Sequence, residues 1–127
     1  MKMEHLRGIR SDEKKTRVEI DHDIPYEEYD TGYILRWIKK LPYDVLELYI
    51  RRSCGGNTHL ALIVVGDLSP IDQMLIRAVM HDDKRRLRGD MERYLLDSPL
   101  FGLLFDVKYS SQTGLITRAG EWMEVTL

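Results

Sequence analysis

The chain has 127 residues, of which 43% are hydrophobic and 31% are charged, and its formal net charge is −2. This length fits one domain with its own core, and no apolar run approaches the roughly 20 residues that a membrane-spanning helix needs. The small negative charge gives no sign of a uniformly basic nucleic-acid binder, since non-specific phosphate binding depends on clustered Lys and Arg. A single cysteine, Cys54, excludes an internal disulfide.

The sequence is organised as one unit. It contains neither an internal repeat nor a Pro/Gly/Ser-rich linker, so we expect a flexible polar arm over residues 1–16 and a single α+β domain over residues 17–127. The first ten residues lack the apolar core and the small-residue cleavage site of a secretion signal. We therefore expect a cytoplasmic protein with no membrane partner.

Residues 17–23 have the alternating pattern of a first β-strand. Val18 and Ile20 share one face of it, and Asp21 and Asp23 share the other. Two carboxylates on one face repel each other, so the arrangement costs stability unless a cation or solvent compensates. The pair is therefore either a candidate site or a solvated strand end at which Asp23 helps to cap the next helix.

A helix and a hairpin follow the first strand. Apolar residues recur at helical spacing after Pro25, and Pro42 ends the run. The segment DVLELYIRR then alternates, SCGGN supplies a turn, and THLALIVVG is apolar enough for the middle of a sheet. We expect Leu46, Leu48 and Ile50 to point inward.

A second helical region begins at Ser69, because a capping hydroxyl followed by Pro70 and the acid Asp72 is typical of a helix start. We expect either one long helix or two helices broken within residues 82–89. The apolar residues expected to face inward are Ile71, Leu75 and Val79, followed by Leu87, Met91, Tyr94 and Leu95.

The charged segment HDDKRRLRGDMER, residues 81–93, allows two interpretations. It is either an exposed helix with spaced ion pairs among Asp83, Arg86, Asp90 and Arg93, or a surface that binds a nucleic-acid backbone. The basic residues on which the second interpretation depends are Lys84, Arg85, Arg86 and Arg88.

The last apolar segments predict one or two final strands, the first of which carries Asp106 on its outward face. The order β-α-β-β-α-β with an extra C-terminal strand is the ferredoxin-like (RRM-like) pattern, an antiparallel sheet with helices on one face. In that pattern the fourth strand lies beside the first, so Asp21, Asp23, His59 and Asp106 converge on the open face. Clustered carboxylates suit Mg²⁺ or Mn²⁺ with phosphates completing the shell, whereas RRM-type base stacking needs aromatic residues there.

The segment RRSCGGNTH, residues 51–59, resembles an Arg-Arg-Ser stretch followed by Ser/Gly-rich residues and a histidine in small proteins of archaeal viruses and plasmids. It is similar, more distantly, to the second motif of the archaeo-eukaryotic primase superfamily. The segments IDHD, residues 20–23, and FDV, residues 105–107, resemble the first and third motifs of that superfamily in the same order.

The resemblance implies a role for each matching residue. Asp21, Asp23 and Asp106 are expected to bind Mg²⁺ or Mn²⁺. His59 is expected to contact a nucleotide phosphate and, with Asp106, to act at a catalytic centre. The residues expected to shape or charge the nucleotide contact are Ser53, Gly55, Gly56, Arg51 and Arg52.

These expectations lead to one main hypothesis and two rivals. The main hypothesis is a nucleic-acid-associated replication protein of an archaeal virus or plasmid, located in the host cytoplasm, with a minimal or vestigial primase-like site and with nucleic acid or a nucleotide as partner. The first rival is a non-enzymatic interaction protein, such as a homodimer joined through the open sheet face or the final strand. The second, a tyrosine-dependent nicking enzyme, is weakened because the sequence lacks paired histidines for its metal.

Overall fold

The computed structural model describes residues 14–97, 104, 107–110 and 112–127. The predicted ligand Asp106 and most of the predicted N-terminal arm therefore lie outside the described residues. The elements in chain order are β1 (Lys15–Pro25), a 3-10 turn (Tyr26–Glu28), α1 (Thr31–Lys40), β2 (Val45–Arg52), β3 (Asn57–Val65), α2 (Pro70–Val79), α3 (Lys84–Leu95), β4 (Val107–Tyr109), β5 (Ile116–Arg118) and β6 (Met123–Val125).

The main sheet has four antiparallel strands in the order β1-β3-β2-β6, and β4 pairs with β5 in a separate hairpin. In the central pairing, Asp21 of β1 and Arg51 of β2 both lie opposite His59 of β3. The predicted α+β class, the antiparallel sheet and the hairpin of β2 and β3 are confirmed.

The outer edge of β1 differs from the ferredoxin-like prediction, which placed a final strand there. The N–H of Asp21 donates to Oδ1 of Asp82 at 2.7 Å, and the carbonyl of Asp21 accepts from the N–H of Asp83 at 2.8 Å. Arg86 donates to the carbonyl of Glu19 at 3.0 Å. Because the segment between α2 and α3 uses these edge groups, no described strand pairs with β1 there, and β6 pairs with β2 instead.

The hydrophobic core lies between one face of the sheet and the helices α1 and α2. Val18 and Ile20 point into it, as the alternation predicts, while Asp21 and Asp23 lie on the opposite face. The other buried residues of this core are Ile34, Leu41, Val45, Leu48, Ile50, Leu60, Leu62, Val64, Ile76 and Met80. The sheet thus separates an apolar side covered by helices from a polar side.

The second helical region is two helices, as one of the two predicted alternatives states. Ser69 caps α2 by accepting from the N–H of Asp72 at 3.2 Å, and Asp83 caps α3 by accepting from the N–H of Arg86 at 2.9 Å. The first cap starts α2 at Pro70, and the second starts α3 at Lys84 after the helix has ended at Val79. Of the described helices, none is long and apolar enough to cross a membrane.

The inward faces predicted for α2 and α3 are wrong. Ile71, Leu75 and Val79 are about half exposed, and Met91, Tyr94 and Leu95 are also exposed, whereas Leu87 is partly buried. The buried side of α2 instead carries Ile76 and the charged Arg77. Arg77 lies 2.6 Å from Asp82 and 2.7 Å from Asp90, and this buried ion-pair network, rather than the longest apolar row, sets how the helices face the sheet.

Candidate functional site

A cavity of about 950 Å³ lies at the end of β1. Its sheet side includes four sequence-predicted site residues in addition to Asp21, namely Asp23, Ser53, Gly55 and His59. Its other side is formed by α3 and β4, whose lining residues include Arg85, Arg86, Gly89, Asp90, Arg93, Lys108 and Tyr109. The fold therefore brings the predicted Asp, Ser, Gly and His residues together and adds a wall from α3 and β4, here called the basic wall, in which Asp83 and Asp90 accompany four basic side chains.

Strand alternation positions the two aspartates of the cavity. His22, between them, points to the core, where its Nδ1 lies 2.6 Å from the hydroxyl of Tyr29 and its Nε2 contacts the carbonyl of Met80. Burial lowers the pKa of His22 below its ordinary value, which favours the neutral ring. His22 is thus a structural residue, and its inward position directs Asp21 and Asp23 to the polar face.

Asp21 is the most perturbed acid in the cavity. Burial raises its pKa from 3.8 to about 6; the nearby Arg86 opposes that rise, and the carboxylates of Asp82, Asp83 and Asp23 add to it. Its Oδ1 lies 3.8 Å from Nε2 of His59. Burial and like charges destabilise the ionised form of this carboxyl group, and a cation that binds beside it stabilises that form. The position is therefore suited to binding a cation.

Asp23 is exposed and its Oδ1 accepts a hydrogen bond from Nδ2 of Asn57 at 2.7 Å. The alternative that Asp23 caps the first helix is wrong, because Asp30 caps α1 by accepting from the N–H of Gly32 at 2.8 Å. Asp23 therefore joins the end of β1 to the start of β3, and its carboxylate stays at the rim of the cavity.

His59 faces the same side of the sheet as Asp21, which lies opposite it on β1. Its Nδ1 accepts from Nε of Arg51 at 3.0 Å. Because an arginine only donates, a neutral His59 carries its proton on Nε2, the nitrogen nearer to Asp21. The indole of Trp122 covers this region, with the Arg51 guanidinium 4.3 Å from its ring centre, so the sheet face predicted to be open is partly closed.

The turn between β2 and β3 is closed by its own hydrogen bonds. Oγ of Ser53 accepts from the N–H of Asn57 at 2.9 Å, and the carbonyl of Ser53 accepts from the N–H of Gly56 at 3.1 Å. Gly56 has φ +90°, a backbone conformation that favours glycine. Its carbonyl also accepts from the N–H of Tyr26 at 3.0 Å. Gly56 is therefore needed for the turn.

Three residues of the predicted nucleotide contact are not among the described cavity-lining residues. Arg51 is buried under Trp122, Arg52 points outward with its guanidinium 3.6 Å from Glu27, and Gly56 closes the turn. The basic groups that do face the cavity come from α3 and β4. Of the four basic residues of α3 predicted to bind a nucleic-acid backbone, Arg85 and Arg86 line the cavity, whereas Lys84 and Arg88 are not among its described lining.

A buried ion-pair network supports the basic wall. Oδ2 of Asp82 accepts from Arg77 and from Arg86 at 2.6 Å each. Asp90 lies 2.7 Å from Arg77 through one oxygen and 2.7 Å from Arg93 through the other. The sequence predicted ion pairs along an exposed helix, but Asp82 and Asp90 are buried. The missed signal was Arg77, a charged residue in an apolar helix that is followed by an acidic pair.

The metal site implied by the primase resemblance fits the described residues in part. Within them, no group of three or more His, Cys, Asp or Glu side chains is arranged to hold a metal ion, and Asp106 is outside them. Asp21 and Asp23 supply two carboxylates, and Mg²⁺ is commonly held by one or two carboxylates with waters and substrate phosphates. Two protein ligands thus agree with a metal that is completed by a phosphate ligand.

Comparisons with known proteins yield no relative, because no family model, no curated protein and no solved structure matches the chain. The geometry described above defines an α+β protein with a mixed acidic and basic cavity at one end of its sheet.

Proposed function

We propose that the cavity binds the phosphates of a nucleotide or of a nucleic-acid strand together with Mg²⁺ or Mn²⁺. The protein is then a nucleic-acid-associated protein of an archaeal virus or plasmid, acting in replication through a minimal or vestigial primase-like site. Its architecture is a variant of the ferredoxin-like arrangement in which the connection between α2 and α3 occupies the edge of β1.

The observation that supports this proposal is that carboxylates and basic side chains line the same cavity. The strand β1 contributes Asp21 and Asp23, and α3 and β4 contribute Arg85, Arg93 and Lys108, with the acids Asp83 and Asp90 close to them in sequence. A phosphate bound between them is attracted to the cations directly, and it is attracted to the carboxylates only through a bound divalent ion. This combination is what a metal–phosphate complex requires and what a simple anion site lacks.

The five sequence-predicted residues that line the cavity each have a role in this arrangement. Asp21 and Asp23 hold the metal, whose chemistry is to neutralise phosphate charge and to polarise an attacking oxygen. The hydroxyl of Ser53 and the open space at Gly55, where a methyl group would meet no atom within 4 Å, allow a phosphate to approach the turn. His59 presents its Nε2 proton beside Asp21, whose Oδ1 lies 3.8 Å from that nitrogen.

Mn²⁺ titration followed by electron paramagnetic resonance tests the proposal. We expect the wild type to bind Mn²⁺ more tightly in the presence of ATP, because the phosphates complete the metal shell. We expect the double variant Asp21→Asn and Asp23→Asn to lose this binding by about tenfold or more, since it removes both carboxylate ligands.

Asp67→Asn is the matched control for this titration, because Asp67 is exposed and pairs with Lys14 at the opposite end of β1. It removes one acidic charge without touching the cavity. Equal Mn²⁺ binding by the wild type and the double variant contradicts the proposal, as does a wild type that binds no Mn²⁺ with ATP present.

A second candidate function is homodimerisation without catalysis. The observation that favours it is the set of exposed apolar side chains on α2 and α3, since such sets mark interaction surfaces. The members are Ile71, Leu75, Val79, Met91, Tyr94 and Leu95, which are 40–82% exposed. Sedimentation velocity distinguishes the two functions: this candidate predicts a dimer that Leu75→Lys dissociates, whether or not nucleotide is present.

A further inference from the structure

Glycine is an unexpected residue at position 89, in the middle of α3 (Lys84–Leu95). After proline, glycine is the least favourable residue in a helix interior, so a glycine there often meets a need for space or for an unusual backbone. Its backbone is helical, which leaves space as the reason. The position lines the cavity.

The space at Gly89 is filled by the guanidinium of Arg93. A methyl group placed on Gly89 would lie 3.3 Å from Nη1, 3.8 Å from Nη2 and 3.9 Å from Cζ of Arg93. Apart from the chain neighbours and the backbone of α3, these are its three nearest atoms, so the glycine makes room for an arginine of its own helix rather than for another helix or strand. The guanidinium thereby lies next to Gly89 at the cavity wall.

Arg93 is held in this position by an acid that is itself fixed. Its Nη1 lies 2.7 Å from Oδ1 of Asp90, whose other oxygen lies 2.7 Å from the buried Arg77. The Arg93 side chain nevertheless remains 49% exposed. A guanidinium has five N–H donors in a rigid plane, so Asp90 orients it without using all of its hydrogen-bond donors.

We propose that Arg93, seated over Gly89, is the direct phosphate ligand of the cavity. Arg85 and Lys108, which line the same wall, add positive charge beside it. An arginine pre-oriented by a buried carboxylate binds phosphate with little loss of side-chain freedom. The inference rests on the proposed nucleotide cavity, but it concerns α3 instead of the aspartates and requires no metal.

Calorimetric titration with inorganic tripolyphosphate in EDTA measures this contact in the absence of divalent ions. We expect Arg93→Gln to weaken binding about tenfold or more, because a charge-assisted hydrogen bond is lost. Arg36→Gln is the matched control, since it removes the same charge from an exposed position on α1. An equal loss in both variants would show that only net charge matters and would overturn the inference.

Substitutions at Gly89 test the position of the Arg93 guanidinium without removing its charge. Alanine and leucine favour a helix over glycine, so we expect Gly89→Ala and Gly89→Leu to keep or raise the melting temperature. We expect both to weaken tripolyphosphate binding, the leucine variant by about tenfold or more, because its side chain displaces Arg93. Wild-type affinity in a folded Gly89→Leu variant overturns the inference, and so does a wild type that binds no tripolyphosphate. If Gly89→Leu does not fold, the comparison of Arg93→Gln with Arg36→Gln decides whether the inference holds.

A second probe, a single-stranded oligothymidylate in EDTA, distinguishes the source of the phosphate. If Arg93→Gln loses affinity for tripolyphosphate alone, the ligand is the phosphate tail of a nucleotide. If it loses affinity for both probes, Arg93 binds any phosphate group, including those of a nucleic-acid backbone. The Mn²⁺ titration is independent of these measurements. Failure of Mn²⁺ binding with an intact Arg93 effect contradicts the metal site only, and the reverse result contradicts Arg93 only.

Discussion

The carboxylate of Asp82 accepts a hydrogen bond at 2.7 Å from the backbone N–H of Asp21. The same carboxylate accepts from Arg77 and Arg86 at 2.6 Å each. A buried ion-pair network between two helices is thereby joined directly to the strand residue with the most perturbed carboxyl group of the cavity. One buried acid therefore links the backbone of β1 to the basic wall of the cavity.

The first prediction concerns the stability of this network. We expect Asp82→Ala to lower the free energy of unfolding by about 3–5 kcal/mol, because it leaves the charge of the buried Arg77 incompletely compensated. Urea denaturation measures the loss. Asp67→Ala, at an exposed acid, is the control and is expected to change stability by less than about 0.5 kcal/mol. A loss of less than about 1 kcal/mol for Asp82→Ala would mean that the network contributes little.

The second prediction concerns pH. Asp21 has a pKa of about 6 in the folded protein against 3.8 ordinarily, so the folded state holds this proton more tightly than the unfolded state. The stability that this tighter proton binding contributes is fully present below pH 3.8 and is lost as the pH rises through about 6. Asp21→Asn keeps a neutral side chain, so we expect it to be more stable than the wild type above this range.

The expected gain for Asp21→Asn is about 1–2 kcal/mol at neutral pH, after a discount for the solvent that screens this partly exposed group. Urea denaturation at several pH values measures it, and the difference between variant and wild type should shrink towards acid pH. A difference that is constant with pH would show that Asp21 titrates normally. Saturating Mn²⁺ with ATP should reverse the order of stability at neutral pH, because only the wild type retains this ligand.

The third prediction concerns base contacts. Tyr109 is 64% exposed and lines the cavity next to Lys108. Since bases stack on exposed aromatic side chains beside a basic groove, we expect Tyr109→Ala to weaken oligothymidylate binding by about 1–3 kcal/mol while tripolyphosphate binding stays the same. Tyr94→Ala is the control, because Tyr94 is exposed on α3 outside the described lining. Equal losses for both probes would contradict a stacking role.

The fourth prediction uses Cys54, the single cysteine of the chain, which lines the cavity in the turn beside Ser53 and Gly55. A ligand bound between the turn and α3 should slow the alkylation of this thiol by iodoacetamide. We expect ATP with Mn²⁺ to protect Cys54 at concentrations that saturate the metal titration. An unchanged alkylation rate at saturation would place the ligand elsewhere.

The sheet side of the cavity was predictable from local sequence pattern. Alternation places Val18 and Asp21 on opposite faces, and the short SCGGN turn forces β2 and β3 to pair. The period and the chain connectivity of a single sequence determine these two relationships. The face of His59 depends in addition on the register of β3 against β1, because a slip of one residue would turn the side chain inward; the structure supplies that register and has His59 and Asp21 3.8 Å apart.

The helical side was not predictable in the same way. Hydrophobic periodicity favoured Ile71 and Leu75 as inward residues, because a charged Arg77 is costly to bury unless partners are present. Its partners Asp82 and Asp90 lie beyond a helix break, so only the assembled fold shows that burial is compensated. The position of Trp122 over His59 likewise depends on which strand β6 pairs with, and no local pattern specifies that choice.

The most direct test of the nucleotide cavity is a crystal structure of the protein with Mn²⁺ and a nucleoside triphosphate, in which anomalous scattering locates the metal. We expect Mn²⁺ bound to Asp21 and Asp23, with a phosphate that bridges from the metal to the basic wall at Arg93. An ordered cavity with the two carboxylates apart and no ligand, or Mn²⁺ and nucleotide bound elsewhere, would contradict it.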